Sequence, residues 1–189
     1  MDLARQLCEG GADLIQLRAK RKPQEEIRRW AKQILTVTRE NGVPLVINDY
    51  PSIAVEVGAD FCHMGQEDFF DRGYRTVSEL SPSGVALRVG LSTHAPEQAQ
   101  RAVDAGPDYV AIGPVYATPT KPSAPPVTLE YVRWASRHLT LPWFAIGGIN
   151  LGNLDEIMEA GARRICIVSA LLEADNVTDA CREFKARLS

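Results

Sequence analysis

The chain has 189 residues, 45% of them hydrophobic and 24% charged, with a formal net charge of -3 and a sequence pI near 5.7. That composition excludes a disordered or membrane-embedded chain; no apolar run approaches the roughly 18 to 20 residues that cross a bilayer, and the charge balance leaves no general footprint for nucleic acid. The length predicts one domain spanning 1–189, and the opening MDLARQLCEGGADL lacks the basic-then-apolar order of a secretory signal, so a cytoplasmic location is expected.

A helix-like segment, Asp2 to Glu9, comes first. The strand-like run Leu14 to Leu17 follows and ends in Gln16, Arg18 and Lys20, which a period of two puts on one side. Three converging donors, two of them cationic, suit a phosphate or pyrophosphate; the alternative is a solvated basic segment continuing into Arg21 and Lys22. Helical spacing over Glu25 to Asn41 leads to the run Pro44 to Ile47, which ends in Asn48 and Asp49. The third run, Asp60 to Met64, contains His63 and ends in Gly65-Gln66-Glu67-Asp68. Asp49 and Asp68 are nineteen residues apart, about the length of one loop, helix and return strand. Hard carboxylate ligands at neighbouring strand ends, beside a cationic cluster that implies a polyphosphate, describe a Mg2+ site completed by substrate oxygens. Loop caps or salt-bridge partners are the other reading of the same two acids. His63 is either a satisfied core histidine or a contact to a substrate ring.

The fourth run, Ala86 to Leu91, leads into Ser92, Thr93 and His94, any of which could cap the helix Glu97 to Ala105. The fifth, Tyr109 to Ile112, leads into GPVYATPTK, where Thr118, Thr120 and Lys121 in a proline-rich loop suit a lid that closes on an anion, ahead of the helix Leu129 to Arg137. The sixth, Trp143 to Ile146, ends in Gly147 and Gly148, and after the helix Asn153 to Ala160 the seventh, Arg164 to Val168, ends at Ser169. A glycine pair permits close approach of backbone to a ligand, or simply makes a tight turn. In a barrel the loops after the last two strands are the usual monophosphate site.

The runs are mostly apolar on both faces, as buried parallel strands are, and GAD, GPD or GAR opens a strand at Gly11, Gly58, Gly106 and Gly161. Strand and helix alternate evenly through the chain, which predicts the α/β class and a TIM (β/α)8 barrel. Only a helical segment precedes Leu14, so the barrel lacks its first strand in this chain. Either a strand stands outside this sequence, or the barrel is open between the first and seventh runs, leaving two edges for another element or chain to cover. The four cysteines have no metal-ligand spacing, and Cys62 and Cys166, inside apolar runs, read as reduced, buried thiols.

Six motifs in order, Q-L-R-A-K at Gln16, L-V-I-N-D at Leu45, G-A-D-F-C-H-M-G-Q-E-D at Gly58, G-L-S-T-H at Gly90, D-Y-V-A-I-G-P-V-Y-A-T-P-T-K at Asp108 and A-I-G-G-I-N at Ala145, resemble the thiamine phosphate synthase family. The resemblance implies a transferase that joins a pyrimidine diphosphate to a thiazole monophosphate and releases pyrophosphate, by departure of pyrophosphate and capture of a pyrimidine cation. It implies that Gln16, Arg18, Lys20, Asn48, Ser92 and Lys121 hold the pyrimidine diphosphate with His63 near the ring, and that Arg18, Lys20 and Lys121 act catalytically. Asp49 and Asp68 would hold Mg2+, and Thr118, Thr120, Gly148, Val168 and Ser169 the thiazole phosphate. Small-molecule partners are expected, with no nucleic acid and no membrane, and homo-oligomerisation is left open. The sister thiazole tautomerases are the nearest alternative, but a histidine is expected there where this chain has Pro114; a non-catalytic precursor-binding barrel is the other. Thr128 stands where the family commonly has glycine, and Pro107 where it commonly has alanine.

Overall fold

The computed structural model describes residues 2–81, 85–119 and 124–188. Among them seven parallel strands form one sheet in sequence order: β1 (Ile15–Leu17), β2 (Leu45–Asn48), β3 (Phe61–Gly65), β4 (Arg88–Thr93), β5 (Tyr109–Ile112), β6 (Trp143–Ile146) and β7 (Ile165–Cys166). Helix α1 (Asp2–Glu9) precedes them; α2 (Gln24–Glu40), α3 (Pro51–Val57), α4 (Gln66–Asp71), α5 (Pro96–Asp104), α6 (Thr128–His138) and α7 (Leu154–Glu159) fill the six connections, and α8 (Ser169–Leu172) and α9 (Val177–Leu188) follow β7. This is the winding of the expected barrel. The ring of strands is open, because β1 and β7 are the two ends of the sheet among the described residues.

Helix α2 shows how the sequence dictates its element. Ile27, Ala31 and Leu35 recur every fourth residue and are buried, Glu25 and Glu26 occupy the first turn and Arg39 the last, as the helix dipole favours. On its outer side Arg28 and Lys32 both reach Glu56 of α3, at 2.6 and 3.5 Å.

The repeated GAD and GPD phrases have a double task. Gly58 and Gly106 take left-handed backbone (φ 72° and 79°) that ends the preceding helix. The aspartate two residues later then accepts an N–H at the start of the preceding strand: Leu45 N–H donates to Asp60 (2.9 Å) and Val89 N–H to Asp108 (2.7 Å). Thr128, at the start of α6, has φ 64°, a conformation that costs a β-branched residue more than it would cost glycine.

The sheet has two faces. Leu45, Ile47, Cys62, Met64, Val89, Leu91, Val110, Ile112 and Ala145 join the helices in one apolar core. The alternate residues form rows across the strands inside the barrel: Gln16, Val46, Phe61 and Arg88, then Asn48, His63, Gly90 and Tyr109, then Gly65, Ser92, Ala111 and Phe144. Tyr109 stands at the centre of this interior, edge-on to Phe61 (ring centroids 5.8 Å) and Phe144 (5.1 Å).

Although the ring of strands is open, the ring of helices closes: α1 packs on α9. Cys181 of α9 lies against Gly10, Thr178 Oγ1 donates to the Gln6 carbonyl (3.2 Å), and Lys185 pairs with Asp13.

Candidate active site

Six of the expected residues lie on strands or immediately beyond them, Gln16, Asn48, His63 and Ser92 on β1 to β4 and Arg18 and Asp49 directly after β1 and β2, on the side of the sheet where barrel chemistry is placed. Asn48 closes β2, and Asp49 follows it in left-handed backbone (φ 69°), a conformation that aspartate tolerates better than most side chains. That turn is held on both sides: Asp49 N–H donates to the His63 carbonyl (2.8 Å), and Arg72 donates to the Asp49 carbonyl (3.5 Å). Its carboxylate therefore points from a fixed backbone. Asp68 lies in the first turn of α4, and a Cβ at Gly65 would stand 3.6 Å from its Oδ2 and 3.9 Å from Ser92 Oγ, so Asp68 and Ser92 approach the same point above β3.

Lys20 joins the two acids. Its Nζ is 3.0 Å from Asp49 Oδ2 and 3.8 Å from Asp68 Oδ2, with side-chain exposures of 45% for Lys20, 11% for Asp49 and 52% for Asp68. The carboxylates of Asp49 and Asp68 thus face one ammonium, and they are the residues of this cluster that could hold a divalent ion. No group of three or more His, Cys, Asp or Glu able to hold a metal occurs among the described residues. An ion between Asp49 and Asp68 would take its remaining oxygen ligands from water or phosphate.

Below this cluster, His63 is buried and its Nδ1 is hydrogen-bonded to the Tyr109 hydroxyl at 2.9 Å, the two rings stacked at 5.6 Å. Burial first, and the charge of Lys20 second, push the His63 pKa down to about 4, so the imidazole is neutral at neutral pH. Burial also raises the pKa of Tyr109, whose hydroxyl stays protonated. Tyr109 escaped the sequence reading. Its signal was Gly90, an isolated glycine inside an apolar strand, which marks a close approach: a Cβ there would stand 2.0 Å from the Tyr109 ring. Asn48 Nδ2, buried at the same level, has no hydrogen-bond partner among the described residues.

The neutral state of His63 has a measurable consequence. Below about pH 6.5 the unfolded chain takes up a proton that the folded chain refuses until about pH 4, so His63 withdraws stability as pH falls through that window, by up to about 3 kcal/mol. In urea unfolding at pH 7 and pH 4.5, His63→Gln is expected to show a smaller pH dependence than the unaltered chain. An unchanged dependence would remove His63 from the buried, neutral role.

The three candidates at the end of β4 divide, Ser92 and Thr93 within the strand and His94 just after it. Ser92 is half-buried on the inner row; Thr93 is fully buried, 2.7 Å from the Tyr131 hydroxyl and donating to the Ala111 carbonyl, and so ties β4 to α6. His94 Nδ1 bonds the Gly113 carbonyl and its N–H donates to Gln98 (2.7 Å), which fastens the ends of β4 and β5 together. None of the three caps α5 through its side chain.

At the other side of the mouth, Val115 N–H and Tyr116 N–H donate to the carbonyls of Ile146 (2.9 Å) and Gly147 (3.1 Å), clipping the β5 loop to the end of β6. A Cβ on Gly148 would stand 2.7 Å from both the Ala117 carbonyl oxygen and Tyr116 Cβ. The glycine pair therefore serves this loop contact, which sets half-buried Thr118 near Gly148. Val168 and Ser169 lie just beyond β7, at the start of α8. Gln16, on β1, and Arg18 flank the cluster; Arg18 is exposed and makes no ion pair among the described residues. Thr120 and Lys121 lie outside the described residues. A cavity of about 730 Å³ opens beside the mouth, between His94, the 124–127 segment, Tyr131 and Trp134; neither Lys20, Asp49 nor Asp68 lines it. Cys62 and Cys166 are free thiols whose pKa values burial pushes up to about 12 and about 11; Cys62 is buried as expected, whereas Cys166, on the edge strand β7, is half-buried.

Residues 1–171 match the family model described as thiamine monophosphate synthase. The thiamine-phosphate synthase of Thermus thermophilus is 44% identical over 189 residues, covering 100% of this chain and 88% of the relative. That of Acidothermus cellulolyticus is 41% identical over 188 residues, covering 95% and 83%. The solved thiamine phosphate pyrophosphorylase of Pyrococcus furiosus superposes with a TM-score of 0.85 at 29% identity, covering 99% of this chain and 88% of that one. A 3-hexulose-6-phosphate synthase, at TM-score 0.70 and 16% identity, shares the fold.

Proposed function

The chain belongs to the thiamine monophosphate synthase family, and on that premise we propose that it joins 4-amino-5-hydroxymethyl-2-methylpyrimidine diphosphate to 4-methyl-5-(2-phosphoethyl)thiazole, giving thiamine phosphate and pyrophosphate. It is a transferase of thiamine biosynthesis. The observation that carries the reading is the convergence of Asp49 and Asp68 on the one ammonium of Lys20 at the carboxyl ends of β2 and β3.

The C–O bond between the pyrimidine methylene and the diphosphate breaks with its electron pair going to pyrophosphate. The thiazole nitrogen then uses its lone pair to form the new C–N bond. No protein nucleophile is needed, and no side chain has to accept a proton. The chain's task is to stabilise charge on the departing group. Arg18, Lys20 and Lys121 neutralise it, and Gln16, Asn48 and Ser92 orient the diphosphate. Asp49 and Asp68 would hold Mg2+, which would add positive charge to help stabilise the departing pyrophosphate. A protonated imidazole beside a forming carbocation would oppose it; neutral His63, fixed by Tyr109, does not. Thr118, Thr120, Gly148, Val168 and Ser169 receive the thiazole phosphate. Water, which would otherwise capture the cation, has to be kept out, a task expected of the 118–126 loop, of which residues 120–123 lie outside the described residues.

Pro114 occupies the place of the histidine expected of a thiazole tautomerase, and the paired acids have no task in a barrel that only binds precursors. No helix among the described residues is long and apolar enough to cross a membrane. Incubating the purified chain with both substrates and Mg2+ is expected to yield thiamine phosphate and pyrophosphate in equal amounts by liquid chromatography. A folded sample that binds the pyrimidine diphosphate yet forms no product would favour the precursor-binding reading.

A further inference from the structure

In this structure a side chain sits where a cation is wanted. Lys20 Nζ lies between Asp49 Oδ2 (3.0 Å) and Asp68 Oδ2 (3.8 Å), so the carboxylates already share one positive charge. The ammonium is a compact point charge on a flexible four-carbon stem, and at 45% exposure it is free to swing. Asp49, by contrast, is nearly enclosed and its backbone is fixed from both sides, so it cannot turn away to offer its oxygen elsewhere. A divalent ion entering this position would meet an ammonium within a few ångströms, and like charges that close repel strongly enough to govern occupancy. A diphosphate reverses the balance, since its oxygens give Lys20 a better partner than a shared carboxylate and leave both acids to the ion.

We propose that Lys20 holds the metal position in the unliganded enzyme, so that the divalent ion is admitted tightly only when a diphosphate draws Lys20 off Asp49 and Asp68. This rests on the metal reading of the two acids given above. Its consequence is reciprocal coupling: metal and diphosphate each raise the affinity for the other.

Mn2+ binding, read as free Mn2+ by electron paramagnetic resonance without any phosphate compound, separates the two ideas. Lys20→Met is expected to bind Mn2+ about tenfold more tightly than the unaltered chain. Arg18→Met removes an equal charge that does not sit between the acids, and is expected to change affinity by less than about threefold. The double variant Lys20→Met/Asp49→Asn is expected to lose the gain. In a separate arm, inorganic pyrophosphate added to the unaltered chain is expected to lower free Mn2+ beyond what the same pyrophosphate chelates without protein, and in Asp49→Asn it is not. Equal Mn2+ affinity of Lys20→Met and the unaltered chain, with binding still sensitive to Asp49→Asn, overturns the proposal and leaves the metal site standing. Equal gains in Arg18→Met and Lys20→Met also overturn it, because only net charge would be at work. Indifference of Mn2+ binding to Asp49→Asn in the Lys20→Met background overturns the metal reading itself. Lys20→Gln repeats the test with a polar side chain, should the methionine variant fold poorly.

Discussion

Asp49→Asn is expected to lower the rate of thiamine phosphate formation by about two to three orders of magnitude while leaving the melting temperature almost unchanged. Asparagine keeps the shape of the side chain and tolerates left-handed backbone, so the turn at φ 69° is retained. What is lost is one anionic oxygen that meets the shared cation, and with it part of the charge stabilisation of departing pyrophosphate. Asp49→Ala is expected to lose the same activity and about 1 kcal/mol of stability besides, because alanine is strained in that backbone region. Steady-state assay at saturating substrates, paired with thermal unfolding, distinguishes the two effects. Turnover within about threefold of the unaltered chain in Asp49→Asn would take Asp49 out of the site.

Gly90→Ala is expected to destabilise the fold by about 3 kcal/mol. The new Cβ would lie 2.0 Å from Tyr109 Cζ and 2.4 Å from both Cε atoms. The ring cannot simply step aside, since Phe61 and Phe144 flank it and its hydroxyl is bonded to His63. Moving the ring would also release His63, so activity should fall together with stability. Combining Gly90→Ala with Tyr109→Leu, which removes the obstructing ring, should cost clearly less than the two single changes added together. Additive losses in urea unfolding would mean that the Gly90 and Tyr109 contact is not the cause.

The apolar runs announced the strands because each is buried on both faces, and five of the seven fell close to their expected ends. The two misplaced boundaries have physical causes. β4 runs on to Thr93 because Thr93 finds buried partners in Ala111 and Tyr131, which a local reading of S-T-H as capping residues could not foresee. β7 is confined to Ile165 and Cys166 because it lies at an open edge, with a pairing partner on one side. The GxD phrase was legible as a helix stop, but its second task, closing the start of the preceding strand, is a contact between segments 15 to 19 residues apart. Of the site, Lys20, Asp49 and Asp68 were visible as charged residues at strand ends, and the structure brings them together. Tyr109 was hidden because it begins its strand rather than ending it and reaches the site only through a long ring laid over a glycine. The glycine pair at 147 and 148 was read for its approach to a ligand; its contacts with Pro114, Tyr116 and Ala117 show it fitting one loop to another.

The seam between α1 and α9 joins segments separated by 172 residues, as in the bonds from Thr178 to Gln6 and from Lys185 to Asp13. Closing a loop of that length costs about 4 to 5 kcal/mol of chain entropy, and it is recovered only once the intervening βα units have shortened the path. The helical girdle is therefore a late event in folding, when neighbouring strands have already paired locally. Amide hydrogens along α1 and α9 should accordingly exchange through partial openings of the seam, well before those of β3, β4 and β5, whose protection reports loss of the whole structure.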